Sequence, residues 1–137
     1  MHFYLLYSAH MFLRKFGVSR RIYQVLFLVI IIACSLLFFK EVKSSVTSIT
    51  HIDKVAHFGV FFVLTGFLKR AFKAPFWLYI LILAAYGAGV EYVQGTIPHR
   101  EASLADFIAD VAGIVSYLVV SHFWHKRYEK SKHSEQA

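Results

Sequence analysis

Residues 22–39 read IYQVLFLVIIIACSLLFF, eighteen consecutive positions without a charge, with Gln24 the only strongly polar side chain. At about 1.5 Å per helical residue the run is roughly 27 Å long, close to the ~30 Å hydrocarbon core of a bilayer. This stretch sets the class of the chain. The composition agrees: 137 residues, 58% hydrophobic, 17% charged and 18% aromatic, with a mean hydropathy of +0.54. A soluble domain carries roughly 25% charged residues, and this chain has too few to clothe itself in a polar surface. The expectation is one membrane domain over residues 1–137, with no room for a second.

Working outward, three more stretches match membrane length: about 53–68, 76–94 and 103–124. The third is entered through Pro75, whose missing N–H suits a helix start. Backbone groups in lipid must bond within their own segment, which makes each stretch a helix. The fold class predicted is therefore all-α, a polytopic membrane bundle of four transmembrane helices. Residues 1–10 are apolar but too short to cross, and are expected at the interface. The polar, charged tail 126–137 is expected to lie in the cytoplasm without regular structure.

Lys and Arg set the orientation. Four spans place Arg14, Lys15, Arg20, Arg21, Lys69, Arg70, Lys73, Lys126, Arg127, Lys130 and Lys132 on one side, and Lys40, Lys43, Lys54 and Arg100 on the other. Basic residues collect on the cytoplasmic side, so both termini are expected there, in the inner membrane of a bacterial cell. The net charge of +7 is then a topology signal and an attraction to anionic lipid; it does not indicate nucleic acid. The single cysteine, Cys34, excludes an intrachain disulfide and a thiolate metal cluster. Ile31-Ile32-Ala33-Cys34 has the look of a lipoprotein processing site, but the apolar run continues through Phe39, as an uncleaved anchor would.

Four acids stand out against this background: Asp53, Glu91, Asp106 and Asp110. A charge at membrane depth costs at least about 2.5–3.5 kcal/mol, so such residues usually face a bundle interior or a wet cavity. Asp53 and His57, four apart, share one face of the second helix, with Lys54 beside them. Glu91 and Gln94 share the last turns of the third. Ser103, Asp106 and Asp110 make one stripe on the fourth, and Arg100 lies in the short loop between helices three and four. All nine fall at one end of the bundle, the extracytoplasmic end in this topology, whereas the other halves are nearly pure hydrocarbon. Small residues (Ala84, Ala85, Ala88 and Gly89 on helix three; Ala105, Ala109 and Gly113 on helix four) predict that these two helices approach closely. The first helix, without such a stripe or a buried charge, is expected to be peripheral. Tyr86 and Tyr92 fit an interfacial belt.

Asp53-Lys54-x-x-His57-Phe58, Glu91-x-x-Gln94, Pro98-x-Arg100-x-x-Ser103 and Asp106-x-x-x-Asp110-x-x-Gly113 resemble the VanZ-like family of small membrane proteins, over a core of residues 53–117. The resemblance implies a multi-pass membrane protein, linked in some members to teicoplanin resistance, and carries the polar positions Asp53, Lys54, His57, Glu91, Gln94, Arg100, Ser103 and Asp106. Members commonly have Asn where this chain has Asp110, which adds a carboxylate one turn below Asp106. The resemblance implies no settled reaction.

Chemically, Arg100 offers a planar fork for carboxylate or phosphate, though an ion pair with Asp106 or Glu91 would equally use it. His57 reads either as a hydrogen-bonded structural residue or as a base beside the acids. Asp106 and Asp110 on one face repel, so one holds a proton or a cation (Lys54, Arg100 or a metal) sits between them. Three functions compete. The site could recognise the headgroup of an envelope lipid or cell-wall precursor through Arg100, Gln94 and Ser103. It could be an intramembrane hydrolase or transferase using Glu91, Asp106 and His57, although no His-Glu-x-x-His motif is present. It could relay protons or ions, against which the one-sided placement of the polar groups counts. Headgroup recognition is favoured; no cofactor is expected, and the expected partners are the lipid bilayer and the envelope lipid or wall precursor.

Overall fold

The computed structural model describes residues 20–39, 52–98 and 102–135. Four helices make up its regular structure: α1 Arg20–Phe39, α2 Ile52–Ala71, α3 Phe76–Gln94 and α4 Leu104–Glu135. Of these, α1, α3 and the Leu104–Tyr128 part of α4 are long and apolar enough to cross a membrane. α2 matches α1 in length, at twenty residues, but carries Asp53, Lys54 and His57 at one end and Lys69 and Arg70 at the other. Its position accounts for that. α2 buries His57, Phe61, Leu64, Thr65, Gly66, Leu68 and Ala71, and is the helix most enclosed by its neighbours, whereas α1 buries only Phe27 and Phe38.

Side-chain pairs fix the directions. Lys54 meets Asp106, His57 meets Asp110 and Lys69 meets Ser121, so α2 and α4 run parallel. Gln24 donates to the Ala71 carbonyl at 3.2 Å and Phe38 stacks on His57, which makes α1 antiparallel to α2. Between α2 and α3 the chain reverses over residues 72–75. Tyr79 pins that turn: its hydroxyl accepts from the Ala74 N–H at 2.9 Å and donates to the Phe72 carbonyl at 3.0 Å. Pro75 holds the N-cap of α3 in extended conformation, one position before the first helical turn.

Three expectations need correcting. The tail expected to be irregular is helical to Glu135; it consists largely of good helix formers and holds no Gly or Pro to stop it. At 32 residues α4 is about 48 Å long, well over the thickness of a hydrocarbon core. Helices three and four do pack together, with Gly87 against Asp110, but not along the expected stripe of small residues. Ala88 and Gly89 are exposed and nothing approaches Gly89, whereas Gly113 lies against the backbone of α2, where a Cβ would collide with the Phe58 carbonyl oxygen. α3 instead turns Leu83, Gly87, Val90, Glu91 and Gln94 inward, a face offset from the Ala–Gly stripe. Finally, Tyr86 is no belt residue. Its hydroxyl bonds Ser35 at 2.8 Å and its ring packs near Phe61, tying α3 to α1. Tyr92 does face outward. The expected interfacial placement of residues 1–10 lies outside the described residues.

The core holds Phe27, Phe61, Leu64, Leu83, Val90 and Ile114. The outer faces stay apolar (Val25, Leu28, Leu36, Val55, Ile108, Val120), as lipid-facing surfaces should. Lipid supplies no hydrophobic force between helices, so close backbone packing carries association. Gly113→Ala should therefore lower stability by roughly 1–3 kcal/mol through overpacking, read as a fall in the thermal unfolding midpoint in detergent. Gly59→Ala, where nothing lies within 4 Å, should leave it unchanged or raise it.

Candidate functional site

The first two turns of α2, the last turn of α3 and the first two turns of α4 meet at one end of the bundle. At their centre is His57, fully buried. Its Nδ1 lies 2.9 Å from Asp110 Oδ1, also fully buried, and 3.8 Å from Glu91 Oε1. Its Nε2 points toward Asp53, 4.0 Å away at the exposed rim. The Phe38 ring covers the imidazole with centroids 4.5 Å apart.

Local folding explains how the acids reach this point. Ser103 is the residue before α4, and its hydroxyl accepts from the Asp106 N–H at 3.3 Å, a side-chain cap that adds to the 3.1 Å bond from the same N–H to the Ser103 carbonyl. The Ser103 backbone N–H donates to Glu91 Oε2 at 2.7 Å. The end of α3 and the start of α4 are thereby joined through one carboxylate. Asp106, nearly buried, accepts from Lys54 Nζ at 3.3 Å. Gln94 donates to the Phe38 carbonyl at 3.1 Å, holding the end of α1 over the cluster.

The structure thus brings together His57, Glu91, Asp106 and Asp110 as a buried floor, with Lys54 and Asp53 at the rim. Two of the predicted residues also have structural duties: Ser103 caps α4 and Gln94 anchors α1. Arg100 lies outside the described residues. The two aspartates of α4 do not share one cation; Lys54 takes Asp106 and His57 takes Asp110.

Two contributors were not foreseen. Phe38 sits at the end of α1, at the depth of His57 because the two helices are antiparallel. Gly87 makes room for the acid below it: a Cβ there would lie 2.7 Å from Asp110 Oδ2. The signal for Gly87 was its place one turn before Glu91 on the inward face of α3.

Among the described residues, the buried side-chain polar atoms without a hydrogen-bond partner are His57 Nε2, Glu91 Oε1 and Asp110 Oδ2. All three belong to this cluster. Buried polar groups are normally satisfied, and each orphan costs about 1–3 kcal/mol. A neutral imidazole that donates from Nδ1 to ionised Asp110 keeps a lone pair at Nε2; a charged one carries an N–H there. One ligand-capable atom from each of His57, Glu91 and Asp110 lies within 4.8 Å of the others, and Asp53, His57 and Asp106 form a second such group.

A family model described as VanZ/LLP1 matches residues 1–125, a wider span than the 53–117 stretch whose motifs carry the resemblance, and one that takes in α1. A chain of the fission yeast Schizosaccharomyces pombe, described as an uncharacterised protein, is 28% identical over 117 residues, covering 82% of this chain and 69% of the relative. No solved structure matches.

The Phe38 ring is the lid that α1 contributes. Phe38→Ala should raise carbethoxylation of His57 several-fold, followed by peptide mass spectrometry in detergent, with His125 at the far end of α4 as the internal reference. An unchanged rate at His57 would show that the ring does not seal it.

Proposed function

The chain belongs to the VanZ/LLP1 family, and on that premise we propose that its polar end receives the headgroup of an envelope lipid or a lipid-linked cell-wall precursor. The observation that carries the proposal is the convergence of four buried titratable groups from three helices beneath a rim held by Lys54 and Asp53. Lys54 supplies a cation where an anionic headgroup would arrive. Val55, Leu104 and Ile108, exposed near the same end, offer apolar flanks along which acyl chains can lie while the headgroup turns inward. The excess of Lys and Arg on the opposite side favours an outward-facing site. The likeness to a fission-yeast chain favours a headgroup chemistry common to membranes in general over a ligand peculiar to a bacterial wall. A part in glycopeptide resistance, implied by the family resemblance, would require the wall precursor as ligand.

One observation favours a second reading, an intramembrane hydrolase or transferase. An imidazole held at Nδ1 by a buried carboxylate, with Nε2 unpaired, is the arrangement in which His acts as a base, the carboxylate fixing its orientation. Glu91 and Asp106 would then serve as acid or base partners.

The test uses the full chain in phosphatidylcholine nanodiscs, titrated with short-chain phosphatidylglycerol or a polyprenyl-diphosphate wall precursor and read by native mass spectrometry. One of these should bind in preference to added phosphatidylcholine, and Lys54→Ala should weaken it about tenfold, roughly 1.4 kcal/mol. Equal binding of all lipids, or no effect of Lys54→Ala, would overturn the headgroup reading. Conversion of the bound lipid, lost in Glu91→Gln and Asp106→Asn while binding persists, would assign the site to the enzyme.

A further inference from the structure

The inner part of the cluster combines features that a hydrogen-bonded scaffold does not explain. His57 and Asp110 are wholly buried and Glu91 is 7% exposed, so two carboxylates and an imidazole sit together in an apolar bundle. Lys54, the cation nearest this end among the described residues, is engaged with Asp106, and Lys69 and Arg70 at the end of α2, with Lys73 in the turn after it, belong to the opposite end of the bundle. With both carboxylates ionised, one imidazolium balances only one of them. Burying unpaired charge is far more costly than burying a paired one, and among the described residues the ionised cluster lacks at least one positive charge.

The orphaned atoms point the same way. Glu91 spends Oε2 on the Ser103 N–H and leaves Oε1 free, and that free oxygen lies 3.8 Å from His57 Nδ1. Asp110 spends Oδ1 on the same Nδ1 and leaves Oδ2 free in the space that Gly87 opens. A cation ligated at about 2.0–2.2 Å by nitrogen and oxygen needs its ligand atoms roughly 3–3.6 Å apart. The observed 2.9 Å and 3.8 Å to Nδ1 bracket that spacing, so small side-chain adjustments suffice.

From this we infer that His57, Glu91 and Asp110 form a binding site for one divalent transition-metal ion, with Nδ1 and one oxygen of each carboxylate as ligands. Imidazole with two carboxylates suits Zn2+ or Mn2+ better than Ca2+ or Mg2+, which prefer all-oxygen sites. The two negative charges balance the ion. His57 Nε2–H then faces the Asp53 carboxylate, the outer partner that ligating histidines commonly have. The second group, Asp53, His57 and Asp106, is the weaker choice, because Lys54 already neutralises Asp106 and Asp53 is largely exposed. An ion here would leave positions open toward the rim, where a phosphate-bearing headgroup could complete its coordination. The ion site does not depend on that headgroup.

The experiment takes the full-length chain in detergent, strips it with EDTA, re-equilibrates it with Zn2+ or Mn2+ alone and measures bound metal by plasma mass spectrometry after desalting. About one ion per chain is expected, with at least a tenfold loss of affinity in each of Glu91→Gln, Asp110→Asn and His57→Asn, and none in His125→Ala. The Glu and Asp substitutions keep shape, and circular dichroism with size-exclusion elution establishes that they fold. Wild-type chain should also show a higher unfolding midpoint with metal than after EDTA, a difference missing from the three variants. No retained ion, or retention that the three substitutions leave unchanged, would overturn the inference. Headgroup binding measured before and after EDTA separates the two proposals: binding that persists without metal sustains the headgroup reading whatever the fate of the ion.

Discussion

The contact between His57 and Asp110 joins α2 to α4 where both side chains are wholly buried and have neither lipid nor water to turn to. An interhelical hydrogen bond in a membrane averages only about 0.6 kcal/mol and reaches about 1.7. A charged acid facing lipid costs at least about 2.5–3.5 kcal/mol. A single pair therefore cannot recover what its own burial costs, and the surroundings must contribute. Gly113 does so by letting the α4 backbone lie directly on the α2 backbone at Phe58, and the Phe62 and Tyr117 rings meet edge to face at 5.2 Å just below. Packing of this kind fixes the register in which residue 57 faces residue 110.

That register then determines the rest of the end. With α2 and α4 parallel and in step, Lys54 falls opposite Asp106 one turn nearer the rim, and Ser103 begins α4 within reach of Glu91. α3 has to place Gly87 and Glu91 on the same face, four residues apart, to admit the Asp110 carboxylate and present its own. α1 closes the assembly from the side. Its Phe38 ring covers His57, and Gln94 holds the Phe38 carbonyl. The polar end is the product of four helices, and α2, shielded by the others, can carry charges at both its ends that an isolated span would not bear.

Much of this was legible in the residues. Membrane-length apolar runs specify helices because lipid leaves the backbone no other partner, and the spacings 53/57, 91/94 and 103/106/110 follow from the helical repeat. What could not be read was which face of each helix meets which neighbour. The Ala–Gly stripe of α3 looked like a packing seam, yet it faces away because Gly87, Val90 and Glu91 compete for the interior and win through the Asp110 contact. Phe38 was one aromatic among fourteen phenylalanines, and its place over His57 emerges only when α1 and α2 are set antiparallel. The basic tail reads as disordered by charge, but helix propensity decides the outcome once α4 is already nucleated and needs only to propagate.

The opposite end of the bundle is the natural control for what the acids are for. There polar side chains lie at the exposed or half-buried edge of the bundle: Lys69 donates to Ser121 at 2.7 Å, Arg70 to the Tyr117 hydroxyl at 3.0 Å, and Gln24 to the Ala71 carbonyl. Each of these donors has a named acceptor, which is what groups retained for stability look like. At the His57 end, by contrast, three buried atoms of three different residues go unpaired, and one ligand-capable atom from each of these residues lies within 4.8 Å of the others. A chain able to satisfy its polar atoms at one end, yet leaving converging ones open at the other, concentrates its unmet electrostatic demand in one place. Unmet demand of this kind is a binding capacity, because one cation held between these residues balances both buried carboxylates at once.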